Sequence, residues 1–145
     1  MEKQAPQSHL MIRHEGTKDT KASADRLSYD IVGAAIEVHR QLGPGLLESA
    51  YEACICREFV LRGIKFERQV ALPLRYRGMT VECGYRLDLI VAGLVIVEVK
   101  AAAKVLAIHR AQVLTYLKLL KLNLGFIINF NVERLRLGLH RIVLG

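Results

Sequence analysis

An α/β (α+β) fold with elements in the order α-α-β-β-β-α-β-β is what this sequence predicts, on three observations. Apolar residues recur at helical spacing from Ile31 to Leu61. The pattern then changes to a period of two, with β-branched runs, between Phe66 and Val99. Helical spacing returns from Ile108 to Leu122, and two short apolar strands close the chain.

Composition narrows the class. At 145 residues, 52% hydrophobic and 24% charged, the chain is long enough for one domain with a real core and is not a disordered polymer. The uncharged apolar run Leu89–Val97 falls far short of the roughly 20 residues of a membrane helix, and the polar N-terminus has no apolar signal-peptide core. No membrane association is expected. Cys54, Cys56 and Cys83 make neither an even-numbered disulfide framework nor a zinc ligand set, and read as small core residues in a reducing cytoplasm. The net charge is +7, from 21 basic and 14 acidic residues. A basic globular domain is consistent with a polyanionic partner, usually nucleic acid.

Residues 1–27 lack apolar periodicity and are rich in Lys, Gln, Ser and Thr, so they read as a flexible tail before a domain over 28–145. His9 and His14 are not assigned as ligands, and a short docked segment around Leu10–Ile12 stays open. Ser28 suits an N-cap with Asp30 in the first turn. Ile31, Ala34, Ala35, Val38 and Leu42 then give a first helix over about 29–41, stopped by Gly43-Pro44-Gly45. A second helix covers about 46–62, with Leu47, Ala50, Tyr51, Cys54 and Leu61 on one face and Gly63 as its C-cap. On that helix Glu48 shares a stripe with Ile55 and Phe59, an unusual place for a carboxylate unless something pairs with it or the helix start exposes it to solvent.

Phe66–Tyr76 reads as a strand, with Pro73 hinting at an edge or a bulge, and Arg77-Gly78 turns the chain. Met79–Val91 and Leu94–Lys100 complete an antiparallel set. Ala101–Val105 is a connection whose Lys104 is either solvated or in reach of a phosphate. A third helix over about 107–121 is expected to bury Ile108, Ala111, Leu114, Thr115, Leu119 and Leu122, while His109, Gln112 and Tyr116 share another stripe. Phe126–Phe130 and Leu137–Leu144 are the last strands.

The hairpin in 85–100, YRLDLIVAGLVIVEVK, concentrates the ionisable groups. Asp88 and Glu98 are symmetric about the Ala92-Gly93 turn and should face each other across two antiparallel strands, where directly opposed Cβ atoms lie roughly 4.5–5.5 Å apart. Lys100, two residues beyond Glu98, falls on the same face. Taken alone, such a trio also fits a solvated, salt-bridged face. Two carboxylates and an ammonium at one sheet edge otherwise suit a divalent cation with a phosphate beside it. Glu48 would be a third carboxylate for the ion, and Gln112 and Tyr116 hydrogen-bond donors toward the same region.

These residues resemble a known pattern. GPGLLESAY contains Gly45-x-x-Glu48-x-x-Tyr51, the signature of the GxxExxY family, and YRLDLIV, IVEVK and QVLTYL follow in order, similar to the D…ExK…QxxxY pattern of the PD-(D/E)xK nuclease superfamily. The likeness spans about residues 28–145. It implies a restriction-endonuclease-like core, a central mixed sheet flanked by helices, that cuts phosphodiester bonds with Mg²⁺, or with Mn²⁺ in its place. By position, Glu48, Asp88 and Glu98 match the metal-binding acids, Lys100 the catalytic lysine, and Gln112 and Tyr116 the helix motif; Leu87 departs from the proline of the superfamily's name. The function expected is a metal-dependent nuclease acting on nucleic acid, DNA first. The alternative is a catalytically silent nucleic-acid-binding or protein-interaction module on the same fold. A domain of this size also suits a homodimer that cuts two strands or buries a sheet edge.

Overall fold

A computed structural model of the protein describes residues 17–82 and 84–145, with side chains from residue 22 onward. Cys83, both N-terminal histidines (His9 and His14) and the segment Leu10–Ile12 lie outside the described residues. Two helices lead, α1 (Thr17–Leu42) and α2 (Glu48–Leu61). Strands β1 (Phe66–Ala71), β2 (Leu74–Tyr76), β3 (Met79–Val81), β4 (Arg86–Val91) and β5 (Val95–Lys100) come next. Helix α3 (Ala107–Leu120), β6 (Leu124–Asn129), a 3₁₀ turn (Leu135–Gly138) and β7 (Leu139–Val143) complete the chain.

The main sheet has five strands in the order β1-β4-β5-β6-β7. Only β5 and β6 run parallel, with α3 as the crossover between them; the other neighbours are antiparallel. This is the expected mixed sheet, with helices on both faces. Leu89, Val91, Val95, Val97, Val99, Phe126 and Ile128 pack with Ile31, Ala34, Val38, Tyr51, Ile55 and Phe59 of α1 and α2. Ile90, Ile96 and Ile127 pack on the other face with Val113, Tyr116 and Leu117 of α3. The period-two alternation of the strands thus feeds two separate apolar layers.

Several local expectations change. Helix α1 begins at Thr17, so residues 17–27, read as tail, are helical. Ser28 is therefore inside a helix and caps nothing; its hydroxyl donates to the Ala24 carbonyl at 2.8 Å, the usual resolution for a mid-helix serine. The strand expected over Phe66–Tyr76 breaks at Leu72-Pro73, and Met79–Val91 breaks before Arg86, which leaves β2 and β3 as a separate two-stranded ribbon. Pro73 has no N–H to continue the ladder, and Leu72 N–H donates to the Tyr85 carbonyl at 3.0 Å to close the main sheet below the ribbon.

The buried helix faces also differ. On α2 the buried stripe runs through Tyr51, Glu52, Ile55, Cys56 and Phe59, leaving Leu47 and Leu61 exposed. On α3 it runs through Val113, Tyr116 and Leu117, leaving Ile108 and Leu119 exposed and Ala111 and Thr115 on the outside. Gly125 accounts for the α3 orientation: a Cβ there would sit 2.8 Å from Val113 Cγ1, so this glycine lets the Val113 face approach β6.

Candidate active site

The site begins with the β4–β5 hairpin. Leu89 pairs with Val97, Ile90 with Ile96 and Val91 with Val95, and continuing that register sets Asp88 opposite Glu98. Ala92 and Gly93 turn the chain with φ of +52° and +67°. Beyond the Leu89–Val97 pair the side chains take over the ladder: Asp88 N–H donates to Glu98 Oε2 at 3.0 Å, and Val99 N–H donates to Asp88 Oδ2 at 2.8 Å. Each acid is thus pinned by the other strand's backbone. The pleat shifts here as well, since Leu87 packs on the α3 side and Leu89 on the α1–α2 side.

Neither carboxylate is at ease as an anion. Burial pushes Glu98 up to about 8, with the Asp88 charge adding to it and the Asp88 N–H and Lys100 opposing it. Burial likewise pushes Asp88 up to about 6, helped by Glu52 and Glu48 and opposed by the Val99 N–H and Lys100. Both acids therefore stand to gain from a cation. After the backbone clamps, Glu98 Oε1 has no hydrogen-bond donor among the described residues, and Asp88 Oδ1 has only a long 3.4 Å contact from Gln69. The undonated Glu98 Oε1 and the weakly held Asp88 Oδ1 are hard donors that suit Mg²⁺, which keeps several waters and needs few protein ligands.

Lys100 follows Glu98 on the same face of β5, half-buried and without an ion pair among the described residues. Its strand end is held from β6. Lys100 pairs with Asn129; Phe130 N–H donates to the Lys100 carbonyl. The buried Asn129 amide accepts from Ala102 N–H and donates to the Ala102 carbonyl, both at 3.0 Å. The chain leaving the lysine is thereby fixed in direction.

The other expected residues fall into place unevenly. Tyr116 is brought in: it is buried, and Glu98 and Asp88 are among the charges that raise its phenol above the ordinary range, after burial itself. Gln112, one turn earlier on α3, is exposed and makes no hydrogen bond among the described residues. His109 of the same stripe is structural, its Nδ1 accepting the Leu106 N–H at 3.0 Å at the start of α3. Glu48 is the first residue of α2 and exposed, with its charge felt at both Asp88 and Glu98. Among the described residues no three His, Cys, Asp or Glu side chains gather into an ion-binding cage, so Glu48 stands outside the carboxylate pair.

The loop before Glu48 is well anchored. The Tyr51 hydroxyl donates to the Gly43 carbonyl and accepts from Leu46 N–H at 3.1 Å, and its ring stacks on Phe130 with centroids 4.6 Å apart. Gly43 and Gly45 take φ of +67° and +102° in that loop, which no β-carbon-bearing residue adopts easily.

Sequence reasoning missed a buried acid one helical turn further in. Glu52 is 6% exposed and is met by Arg68 Nε at 2.8 Å and by Gln69 Nε2 at 2.9 and 3.2 Å. Gln69 faces Asp88 across β1–β4 and has φ of +53° in the middle of a strand, an uncommon conformation for a residue with a Cβ. Its amide links Glu52 to Asp88. The signal in the sequence was the spacing 48, 52, 55, 59, which puts Glu52 on the stripe already noted for Glu48.

A family model described as the PD-(D/E)XK nuclease superfamily matches residues 25–142. No curated protein and no solved structure matches the chain.

Proposed function

The chain belongs to the PD-(D/E)XK nuclease superfamily, and from that premise we propose that it is a metal-dependent nuclease hydrolysing phosphodiester bonds of nucleic acid, with DNA as substrate and Mg²⁺, replaceable by Mn²⁺, as the ion. Within the superfamily we assign it to the GxxExxY group on Gly45, Glu48 and Tyr51. The reciprocal clamp between Asp88 and Glu98 carries the reading, because it holds two acids together on the hairpin whose second strand ends at Lys100, with Glu98 Oε1 undonated and Asp88 Oδ1 met only by the long Gln69 contact among the described residues. Asp88 and Glu98 would hold the ion, and Glu48, whose charge is felt at both acids, would be the third carboxylate toward it. The bound ion would supply the Lewis acidity that makes a water nucleophilic at neutral pH. Lys100 offsets charge on the phosphate and orients the attacking water. Tyr116 and Gln112 donate hydrogen bonds at the rim.

The test is cleavage of single- and double-stranded DNA and RNA with Mg²⁺, Mn²⁺ or EDTA. Asp88→Ala and Lys100→Ala should each lower cleavage by roughly a hundredfold or more, the scale of losing one preorganised electrostatic group. Equal cleavage by wild type and both variants would remove the assigned site. A catalytically silent module is favoured by one observation, the exposed side chain of Glu48. It requires salt-sensitive nucleic-acid binding with no cleavage under any of these conditions.

A further inference from the structure

The ribbon of β2 and β3 belongs to neither apolar layer of the main sheet and leaves it next to the carboxylate pair. It departs after Leu72 and returns at Tyr85, and the last main-sheet pair below it is Ala71 with Arg86, two residues from Asp88. Its six residues pair as Leu74 with Val81, Arg75 with Thr80 and Tyr76 with Met79. Arg77 and Gly78 make the tip, both with positive φ, +49° and +84°, as a tight two-residue hairpin turn requires.

Two-stranded ribbons are marginal by themselves in water, and this one exposes what a self-contained ribbon would cover. Tyr76 is 57% and Met79 58% exposed, side by side at the tip. The Arg77 guanidinium lies 5.9 Å from the Tyr76 ring centroid, so that ring is held in place by a cation. Among the described residues Arg75 bonds Thr80 Oγ1, at 3.1 Å, and Arg86 the Gln69 carbonyl, at 3.3 Å. None of the three arginines is paired with an acid among the described residues. Glu82 is the one acidic residue in the stretch 72–86. Flat aromatic surface beside unpaired guanidinium groups is the chemistry that holds unpaired bases and their phosphates.

We propose that the β2–β3 ribbon is a gripping arm for single-stranded nucleic acid, stacking a base on Tyr76 and Met79 and holding the flanking phosphates with Arg75 and Arg77. This rests on the nuclease reading and extends it, because the arm is rooted two residues from Asp88 and so takes the strand beside the bond to be cut. A duplex offers no free base face, so the arm selects unpaired segments.

The test is fluorescence anisotropy of the full chain with a labelled oligo-dT single strand and a labelled duplex, in EDTA and over a salt series, with cleavage measured in parallel. Tyr76→Ala should weaken single-strand binding by roughly fivefold or more, and Tyr76→Phe should leave it unchanged, since the ring and not the hydroxyl stacks. The Arg75→Ala/Arg77→Ala pair should flatten the slope of log affinity against log salt by about 1.4, roughly 0.7 for each phosphate no longer neutralised. All three substituted side chains are exposed, and an unchanged melting temperature verifies that the variants fold. If wild type cleaves or binds but Tyr76→Ala matches Tyr76→Phe, or duplex binding falls more than single-strand binding, the arm is overturned and the nuclease reading stands. If wild type neither binds nor cleaves any nucleic acid, both fall together.

Discussion

Asp88 and Glu98 retain protons in the folded chain that they would release when unfolded. Their ordinary values are 3.8 and 4.5, and burial raises them to about 6 and about 8. The sign follows: the folded state binds more protons, so the metal-free protein loses stability as pH rises from about 4 through these two values. A divalent ion that binds only the ionised pair restores it. The melting temperature without metal should therefore fall by several degrees between pH 6 and pH 8, at about 2–4 °C per kcal/mol for a chain of this length. Adding Mg²⁺ should raise it more at pH 8 than at pH 6. Scanning fluorimetry with and without the ion checks this, and Glu98→Gln should remove most of the slope. Gln69 gives a second prediction at this scale. Gln69→Gly relieves the positive φ while deleting the amide between Glu52 and Asp88, so stability should stay within about 1 kcal/mol of wild type. The cleavage rate should drop roughly tenfold because Asp88 loses its lateral restraint. Single-turnover rates beside a melting curve separate the two effects. Glu52→Ala acts differently, since it strips a buried acid from an Arg68 side chain that is 44% exposed. Solvent tempers that loss, and about 1–2 kcal/mol of destabilisation is expected by denaturant titration.

Among the elements, the 3₁₀ turn before β7 packs closely at Gly138. A Cβ on Gly138 would lie 1.9 Å from the Asn129 carbonyl oxygen, and Asn129 is the residue that steadies the chain leaving Lys100. Gly138→Ala must move backbone at the end of β6, which should cost about 2–3 kcal/mol and depress cleavage in proportion to the displacement of Lys100. Denaturant midpoints and cleavage rates measured together test it. The elements also mark what the residue pattern could reveal. The hairpin was legible because Asp88 and Glu98 sit symmetrically about a two-residue turn, and local symmetry fixes register without help from the rest of the chain. The buried faces of α2 and α3 were not. Both helices carry apolar residues nearly all round, so Leu47 and Leu61, or Ile108 and Leu119, competed on equal terms with the stripes that are buried, and only long-range neighbours such as Gly125 decide between them. Glu48 was readable as an acid on the Ile55–Phe59 stripe; which acid on that stripe is buried depends on β1, from which Arg68 and Gln69 come to meet Glu52. The breaks at Leu72-Pro73 and before Arg86 were half legible, since Pro73 announced an interruption but not a separate ribbon.

For the whole molecule, the sheet order leaves β1 and β7 as edges, and a homodimer through either would cover unpaired backbone. Light scattering at several concentrations reads the state directly, and no described helix is long and apolar enough to cross a membrane. The topology also sets an order of assembly. Asp88 and Glu98 are joined through a short antiparallel turn, whereas Glu98 meets Ile127 of β6 only after the α3 crossover. Hairpins close in roughly 1–10 μs, and parallel pairings between distant segments come later. The two carboxylates therefore meet first in a half-built, watery ribbon, where solvent screens their repulsion. Docking of β6 and α3 then dries them. On that order the last stage of folding works against the charge of this carboxylate pair, and a divalent ion present at that stage is expected to speed the final docking as well as steady its product.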